Sequence, residues 1–148
     1  MKLLFIDPMG DKESTGLNIG IAYCGAALRK SGHVVGVLDL VNIRKDDPIG
    51  AIKTAVESFR PDVIGLSVTN MSFNNCRAYV ESIKKYFSGI VLVGGPEISA
   101  LIGKSLELIP GADMAIYGEG ERTLVELLSA IETKAPLNSD QGPGMAGW

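Results

Sequence analysis

The sequence predicts a doubly wound α/β domain, a five-stranded parallel sheet with helices on both faces. Three observations lead to it. Short apolar runs alternate with amphipathic stretches along the whole chain, as successive βα units do. The runs are rich in Val, Ile and Leu and show little polar alternation, as strands covered on both faces should. The 148 residues, 46% of them hydrophobic, suffice for one core that needs neither disulfides nor metal.

The elements follow in order. The first strand is expected over residues 2–6, an apolar stretch that runs straight into Asp7-Pro8 and is too short for a signal-peptide core. A helix over about 18–31 ends at Lys30-Ser31-Gly32, with a basic residue in its last turn and glycine at the C′ position. His33 then leads into a second strand over 34–40. The only histidine of the chain thus stands at the start of a strand, opposite the edge where such sheets bind ligands, and is expected to be structural. A second helix, 48–59, is closed by Arg60-Pro61-Asp62, because proline disfavours helix in the residue before it. Strand three (63–67), a helix (74–87) closed by Ser88-Gly89, strand four (90–93), a helix (98–108), strand five (114–117) and a last helix (121–132) complete the alternation. Beyond Thr133 the chain turns polar and rich in Pro and Gly, with too little apolar content for a sixth strand. Residues 1–133 are therefore expected to form the domain, of flavodoxin-like or Rossmann-like type, and 134–148 a linker.

Charge and cysteine usage exclude several function classes. A net charge of -3 and a pI near 5.1 supply no basic field for a phosphate backbone or an anionic lipid surface. Nucleic acid is not an expected partner, and no apolar run approaches a membrane span. Cys24 and Cys76 lie far apart, without a CxxC or a neighbouring histidine, so neither a disulfide framework nor a zinc site is expected. They read as reduced, semi-buried thiols of a cytoplasmic protein.

In an open parallel sheet, ligands bind beyond the carboxyl ends of the strands, so the residues just after each strand carry the functional information. After strand one comes a long loop of small polar residues, 7–18, ending in Gly16-Leu17-Asn18. After strand three, Ser67, Thr69 and Asn70 offer hydroxyl and amide groups able to hydrogen-bond a heterocycle or a ribose without charge. After strand four, Gly94-Gly95-Pro96-Glu97 lets a flat or bulky ligand approach the backbone. After strand five, Tyr117-Gly118-Glu119-Gly120-Glu121 sets acidic side chains at a helix start. Each motif has a plainer reading alone: a tight turn for the glycines, helix capping for Ser67 and Thr69, dipole complementation for Glu119 and Glu121. Together they outline an uncharged trough suited to a large, mostly neutral ligand.

A set of segments goes further. They are Gly16-Leu17 opening the first helix; Leu28-Arg29-Lys30-Ser31-Gly32-His33-Val34-Val35 leading into Val37-Leu38-Asp39; and Pro61-Asp62-Val63-Ile64-Gly65-Leu66-Ser67. Val91-Leu92-Val93-Gly94-Gly95-Pro96-Glu97 and Ala115-Ile116-Tyr117-Gly118-Glu119-Gly120-Glu121 complete the set. With them the chain resembles, over residues 2–132, the cobalamin (B12)-binding domains that precede the barrel of B12-dependent radical SAM enzymes. Of the three motifs that handle the cofactor in better-studied cobalamin folds, Gly94-Gly95 matches the GG and Ser67 the serine of SxL, with Thr69 in place of its leucine. The DxHxxG after strand one has no histidine here, so the resemblance implies cobalamin held without an imidazole ligand to cobalt.

The resemblance implies that the nucleotide tail enters a crevice between strands one, three and four, beside Ser67, Thr69 and Gly94-Gly95, with the corrin on the loops. It also implies a parent methyltransferase-type enzyme. Its radical SAM barrel would lie downstream and hold the SAM and the [4Fe-4S] cluster, since Cys24 and Cys76 cannot supply a CxxxCxxC. The isolated chain is expected to bind rather than catalyse, and whether it forms a homodimer is left open. Rival readings are a degenerate, cofactor-free scaffold of the same fold and a flavin-binding flavodoxin, for which Ser14-Thr15-Gly16 offers a faint phosphate cradle. A signalling receiver domain is disfavoured, because strand three ends in Ser67 where the phosphoacceptor Asp would stand.

Overall fold

The computed structural model describes residues 1–10, 18–43, 46–135 and 145–146. Five parallel strands run in the order β2-β1-β3-β4-β5: β1 (Lys2–Asp7), β2 (Val34–Asp39), β3 (Val63–Ser67), β4 (Ile90–Gly94) and β5 (Met114–Ile116). The helices are α1 (Ile19–Lys30), α2 (Leu40–Ile43), α3 (Pro48–Phe59), α4 (Phe73–Ile83), α5 (Pro96–Ala100), α6 (Ser105–Leu108) and α7 (Gly120–Thr133).

Because side chains alternate across a strand, each strand feeds two cores. On one face Leu4, Ile6, Ile64, Leu66, Val91, Val93 and Ala115 pack against α3, α4 and α5 through Ile52, Val56, Tyr79, Ile83 and Ile98. On the other, Leu3, Phe5, Val63, Leu92, Met114 and Ile116 pack against α1 and α7 through Ile21, Leu28, Leu124, Leu127 and Leu128. The strand order reverses at β1: the chain steps to β2 on one side and then crosses back to β3 on the other. α1 and α7 therefore share one face, which is where a doubly wound sheet opens a crevice.

Local chemistry explains the helix ends. Asn18 caps α1 by accepting the Ile21 amide, and Asp47 caps α3 by accepting the Gly50 amide with Pro48 in the first turn. Gly32, at φ 87°, closes α1, with the His33 amide bonded back to Leu28. Arg60 closes α3 in the left-handed region at φ 52°, ahead of Pro61.

Several boundaries differ from the expectation. Strand two stops at Asp39, and Leu40, fully buried, opens the short α2 instead, because Asp39 accepts the Asn42 amide and turns the chain. Strand five ends at Ile116, so Tyr117 lies outside it. The helix expected over 74–87 begins at Phe73, after a single 3₁₀ turn (Asn70–Ser72), and ends at Ile83. The helix expected over 98–108 is two short helices, broken at Gly103, whose φ of 79° is incompatible with a continuous helix. β2 is not covered on both faces: it is the sheet edge, and Val34 and Val37 are exposed. The expectation of no sixth strand is also corrected. Met145–Ala146 (β6) pairs antiparallel with Ala115 and Ile116, because the outer edge of β5 offers backbone groups that any sequence can bond.

Candidate ligand cleft

A cleft of about 340 Å³ opens between α1, α7 and the carboxyl ends of the strands. Its floor follows from strand parity. The positions that face α1 and α7 are Phe5 on β1, Gly65 and Ser67 on β3, Leu92 and Gly94 on β4, and Ile116 on β5. Two of these are glycines, so the floor lacks side chains where neighbouring strands carry Phe or Leu. A Cβ on Gly65 would meet the Phe5 ring at 3.2 Å, whereas one on Gly94 would make only ordinary contact with Ile116. Gly65 thus admits the ring, and Gly94 leaves free volume.

The walls are helical. Gly20, Ile21 and Cys24 of α1 face Gly120, Glu121 and Leu124 of α7. The two helices approach closely where Gly120 meets Cys24: a Cβ on Gly120 would stand 3.0 Å from the thiol sulfur. The far wall is Gly95, Pro96 and Ser99. Ser99 Oγ accepts the Gly118 amide at 2.9 Å, tying the β4 loop to the β5 loop. Gly95 sits at φ 108° directly against Val68, and the Val68 amide donates to the Gly94 carbonyl at 2.7 Å.

At the rim between β1 and β3, Asp7, Asn18 and Ser67 form a hydrogen-bonded group. Asp7 is buried, and loss of solvent, more than the neighbouring Asp39 charge, raises its carboxyl above the ordinary value against the lowering effect of the Asn18 bond. Burial, reinforced by Glu121 and Glu119, pushes the Cys24 thiol up to about 11; burial alone pushes Cys76 up to about 12. Both cysteines are free. Among the described residues no group of three or more His, Cys, Asp or Glu is arranged to hold a metal ion, and no described helix is long and apolar enough to cross a membrane. His33 is buried at the opposite edge of the sheet, its Nδ1 3.3 Å from the Met1 nitrogen.

Of the residues singled out in the sequence, Ser67, Gly94, Gly95, Pro96, Gly118, Glu119 and Gly120 line the cleft, and Asn18 stands beside it on Ser67. Gly16 and Leu17 lie outside the described residues. Thr69 and Asn70 do not reach the cleft: Thr69 bonds Ser72 in a capping box that starts the 3₁₀ turn, and Asn70 is exposed within it. Glu97 lies in α5, its amide on the Val68 carbonyl. Tyr117 faces the other core, its hydroxyl 2.8 Å from Ser105 Oγ. The cleft takes in the expected ends of β1, β3 and β4 and extends beyond them to β5 and α7. Gly20, Cys24, Gly65 and Ser99 were missed. Gly65 carried a signal, since glycine inside a strand marks close approach; the others are set by helix placement.

Fold and cleft together define a doubly wound α/β ligand-binding domain with its binding edge at the carboxyl ends of the parallel strands. The particular family is given by a match to the B12 binding domain over residues 9–128, and the chain belongs to that family. It is 25% identical over 149 aligned positions to an uncharacterized methyltransferase of Pyrococcus horikoshii, covering 96% of this chain and 32% of that one. Among solved structures it superposes on the radical S-adenosylmethionine methyltransferase TsrM of Kitasatospora setae, with cobalamin and a [4Fe-4S] cluster bound. The TM-score is 0.84 at 23% identity, over 97% of this chain and 26% of TsrM. It also superposes on the cobalamin-dependent radical enzyme OxsB with aqua-cobalamin bound: TM-score 0.82 at 22% identity, over 99% of this chain and 20% of OxsB. The chain thus spans a third or less of the length of each of these relatives.

Proposed function

We propose that this chain is the cobalamin-holding module of a larger, methyltransferase-type radical SAM enzyme of the cytoplasm, and that it holds the cofactor without a histidine ligand. The observation that carries the reading is the glycine-floored cleft between α1 and α7. It is mostly apolar, lies at the edge of the sheet where ligands bind, and its size suits a heterocyclic base rather than a whole corrinoid. The residues present fit the group. Gly94 leaves open the volume that a flat ring would take, Phe5 and Leu92 supply apolar contact, and Ser67 supplies one hydroxyl. The nucleotide tail would enter here, with the corrin on the loops at the strand ends. When bound, cobalamin supplies a cobalt centre able to carry a methyl group; this chain's own residues bury the tail and exclude water from it.

Two features support the absence of an imidazole ligand: His33 is the sole histidine, and it is buried at the amino end of β2 beside Met1 and Glu132. SAM and an iron–sulfur cluster would belong to a barrel elsewhere in the parent protein, which is also the expected partner of the corrin's other face.

Adding hydroxocobalamin to the purified chain, followed by gel filtration and an absorbance spectrum, tests the reading. A coloured, co-eluting complex with about one cobalamin per chain is expected. Colourless protein at saturating cobalamin would overturn it in favour of a cofactor-free scaffold, and retained yellow flavin would favour a flavodoxin-type site.

A further inference from the structure

The sheet is open along β2, and little protects that edge. β2 pairs with β1 on one side, and among the described residues no strand pairs on the other. The Val34 amide donates to the Met1 carbonyl at 3.0 Å, so by the alternation of a parallel ladder Val34, Gly36 and Leu38 bond β1. Val35, Val37 and Asp39 therefore turn their amides and carbonyls outward. Arg29 Nη2 donates to the Val35 carbonyl at 3.0 Å, as it can only if that carbonyl lies on the free side. Edge strands are ordinarily blunted by Lys, Pro or a bulge. The run Val34-Val35-Gly36-Val37-Leu38-Asp39 has none of these: it keeps unbroken register with β1 and leaves Val34 and Val37 54% and 52% exposed. Its one charge is Asp39, at the end. Strand parity puts that side chain on the α1 face, the face from which Arg29 reaches the edge.

We propose that β2 is the contact edge of a symmetric pair of these chains, in which two copies of β2 lie antiparallel about a two-fold axis at Val37 and join their sheets into one. The register follows from which groups face outward. An axis at Val37 opposes Val37 to its own copy and Val35 of each chain to Asp39 of the other. All three outward residues are then paired, whereas an axis at Gly36 leaves Asp39 unpaired and an axis at Leu38 leaves Val35 unpaired. The same register matches charge. Arg29, anchored on the Val35 carbonyl, comes beside Asp39 of the second copy, and the reciprocal pair forms across the axis. Asp39 stands level with the buried Asp7, and a guanidinium there offsets the repulsion between the two carboxylates. Ala22 and Ala26 share the Arg29 face of α1 and are exposed, so the helix presents only short side chains beside the edge. Charges that complement themselves under a two-fold fit a second copy of this chain rather than an unrelated strand.

Sedimentation equilibrium of the chain over a wide concentration range tests the pairing. A reversible monomer–dimer equilibrium is expected, its heavier species twice the 15.7 kDa of the chain. Val37→Lys sets two like charges directly opposite one another and should weaken the dimer about tenfold. Arg29→Asp and Asp39→Arg each turn two attractions into repulsions and should weaken it about three- to tenfold. An equimolar mixture of those two single variants, and the double variant Arg29→Asp/Asp39→Arg alone, both restore opposite charges at every contact and should associate nearly as well as wild type. A merely structural effect of either substitution would not be rescued in this way. Thermal melts establish that each variant is folded, and the charge swap alone decides where Val37→Lys does not fold. A dimer that Val37→Lys leaves unchanged, or charge-swapped chains no tighter than the single variants, would overturn the inference. A chain that stays monomeric up to its solubility limit would overturn it too, leaving the edge to a strand from elsewhere in the parent protein.

Discussion

Gly94 and Gly95 are adjacent, and their reasons for being glycine differ. Gly95 has φ 108°, and a Cβ there would stand 2.7 Å from the Val68 carbonyl oxygen, so its identity is demanded by the fold. Gly95→Ala is expected to cost about 1–3 kcal/mol or more, measured by urea denaturation. Gly94 has a permitted φ, and its Cβ would meet nothing closer than 3.5 Å. Gly94→Ala should therefore leave stability within about 0.5 kcal/mol while weakening corrinoid binding, because the methyl projects into the cleft. The sequence marked both as one motif; their separate roles appear only once β4's parity and the Val68 contact are known. The thiols give a second check at this scale. With Cys24 near 11 and Cys76 near 12, only about a thousandth and a ten-thousandth are thiolate at pH 8. Both folded-state values are raised, so alkylation by iodoacetamide should accelerate about tenfold per pH unit between pH 7 and 10. Cys24 should react ahead of the fully buried Cys76, and bound corrinoid should protect Cys24. Equal rates at the two sites would contradict the placement of α1.

Among the elements, α7 bears most on the cleft. It lies against α1, and it buries Leu124, Leu127 and Leu128 on the sheet while its first turn forms the cleft's mouth. Leu128 is fully buried away from the cleft, so Leu128→Ala is expected to destabilise by about 2–5 kcal/mol in thermal or chemical unfolding. Corrinoid binding should persist below the lowered melting temperature, since no lining atom is removed. α7 was legible because its apolar spacing is helical over its full length. The segment 98–108 also reads as a helix by apolar content, yet Gly103 breaks it, and a lone glycine in a helical pattern does not announce whether it interrupts or is carried along. Thr69 carries a related ambiguity. A hydroxyl just after a strand serves a ligand or a cap equally well by sequence, and here the Ser72 amide claims it.

For the molecule as a whole, the alternation of elements made the parallel sheet legible, and with it the edge where a ligand sits. The face was harder. Tyr117 and Gly118 are neighbours in the chain, but parity sends the ring to the α5–α6 side, where it bonds Ser105, and leaves Gly118 at the cleft. Placing the cleft required knowing that α1 and α7 come together on one side, which depends on strand order and not on any local pattern. His33, expected from its position to be structural, lies at the end of the sheet away from the cleft, 3.7 Å from Glu132. The loops after β3 and β4 are stitched to one another, Val68 amide to Gly94 carbonyl and Glu97 amide to Val68 carbonyl. That jaw is already set before any guest arrives, so docking against it forfeits little chain freedom and the enthalpy of each new contact is retained as affinity.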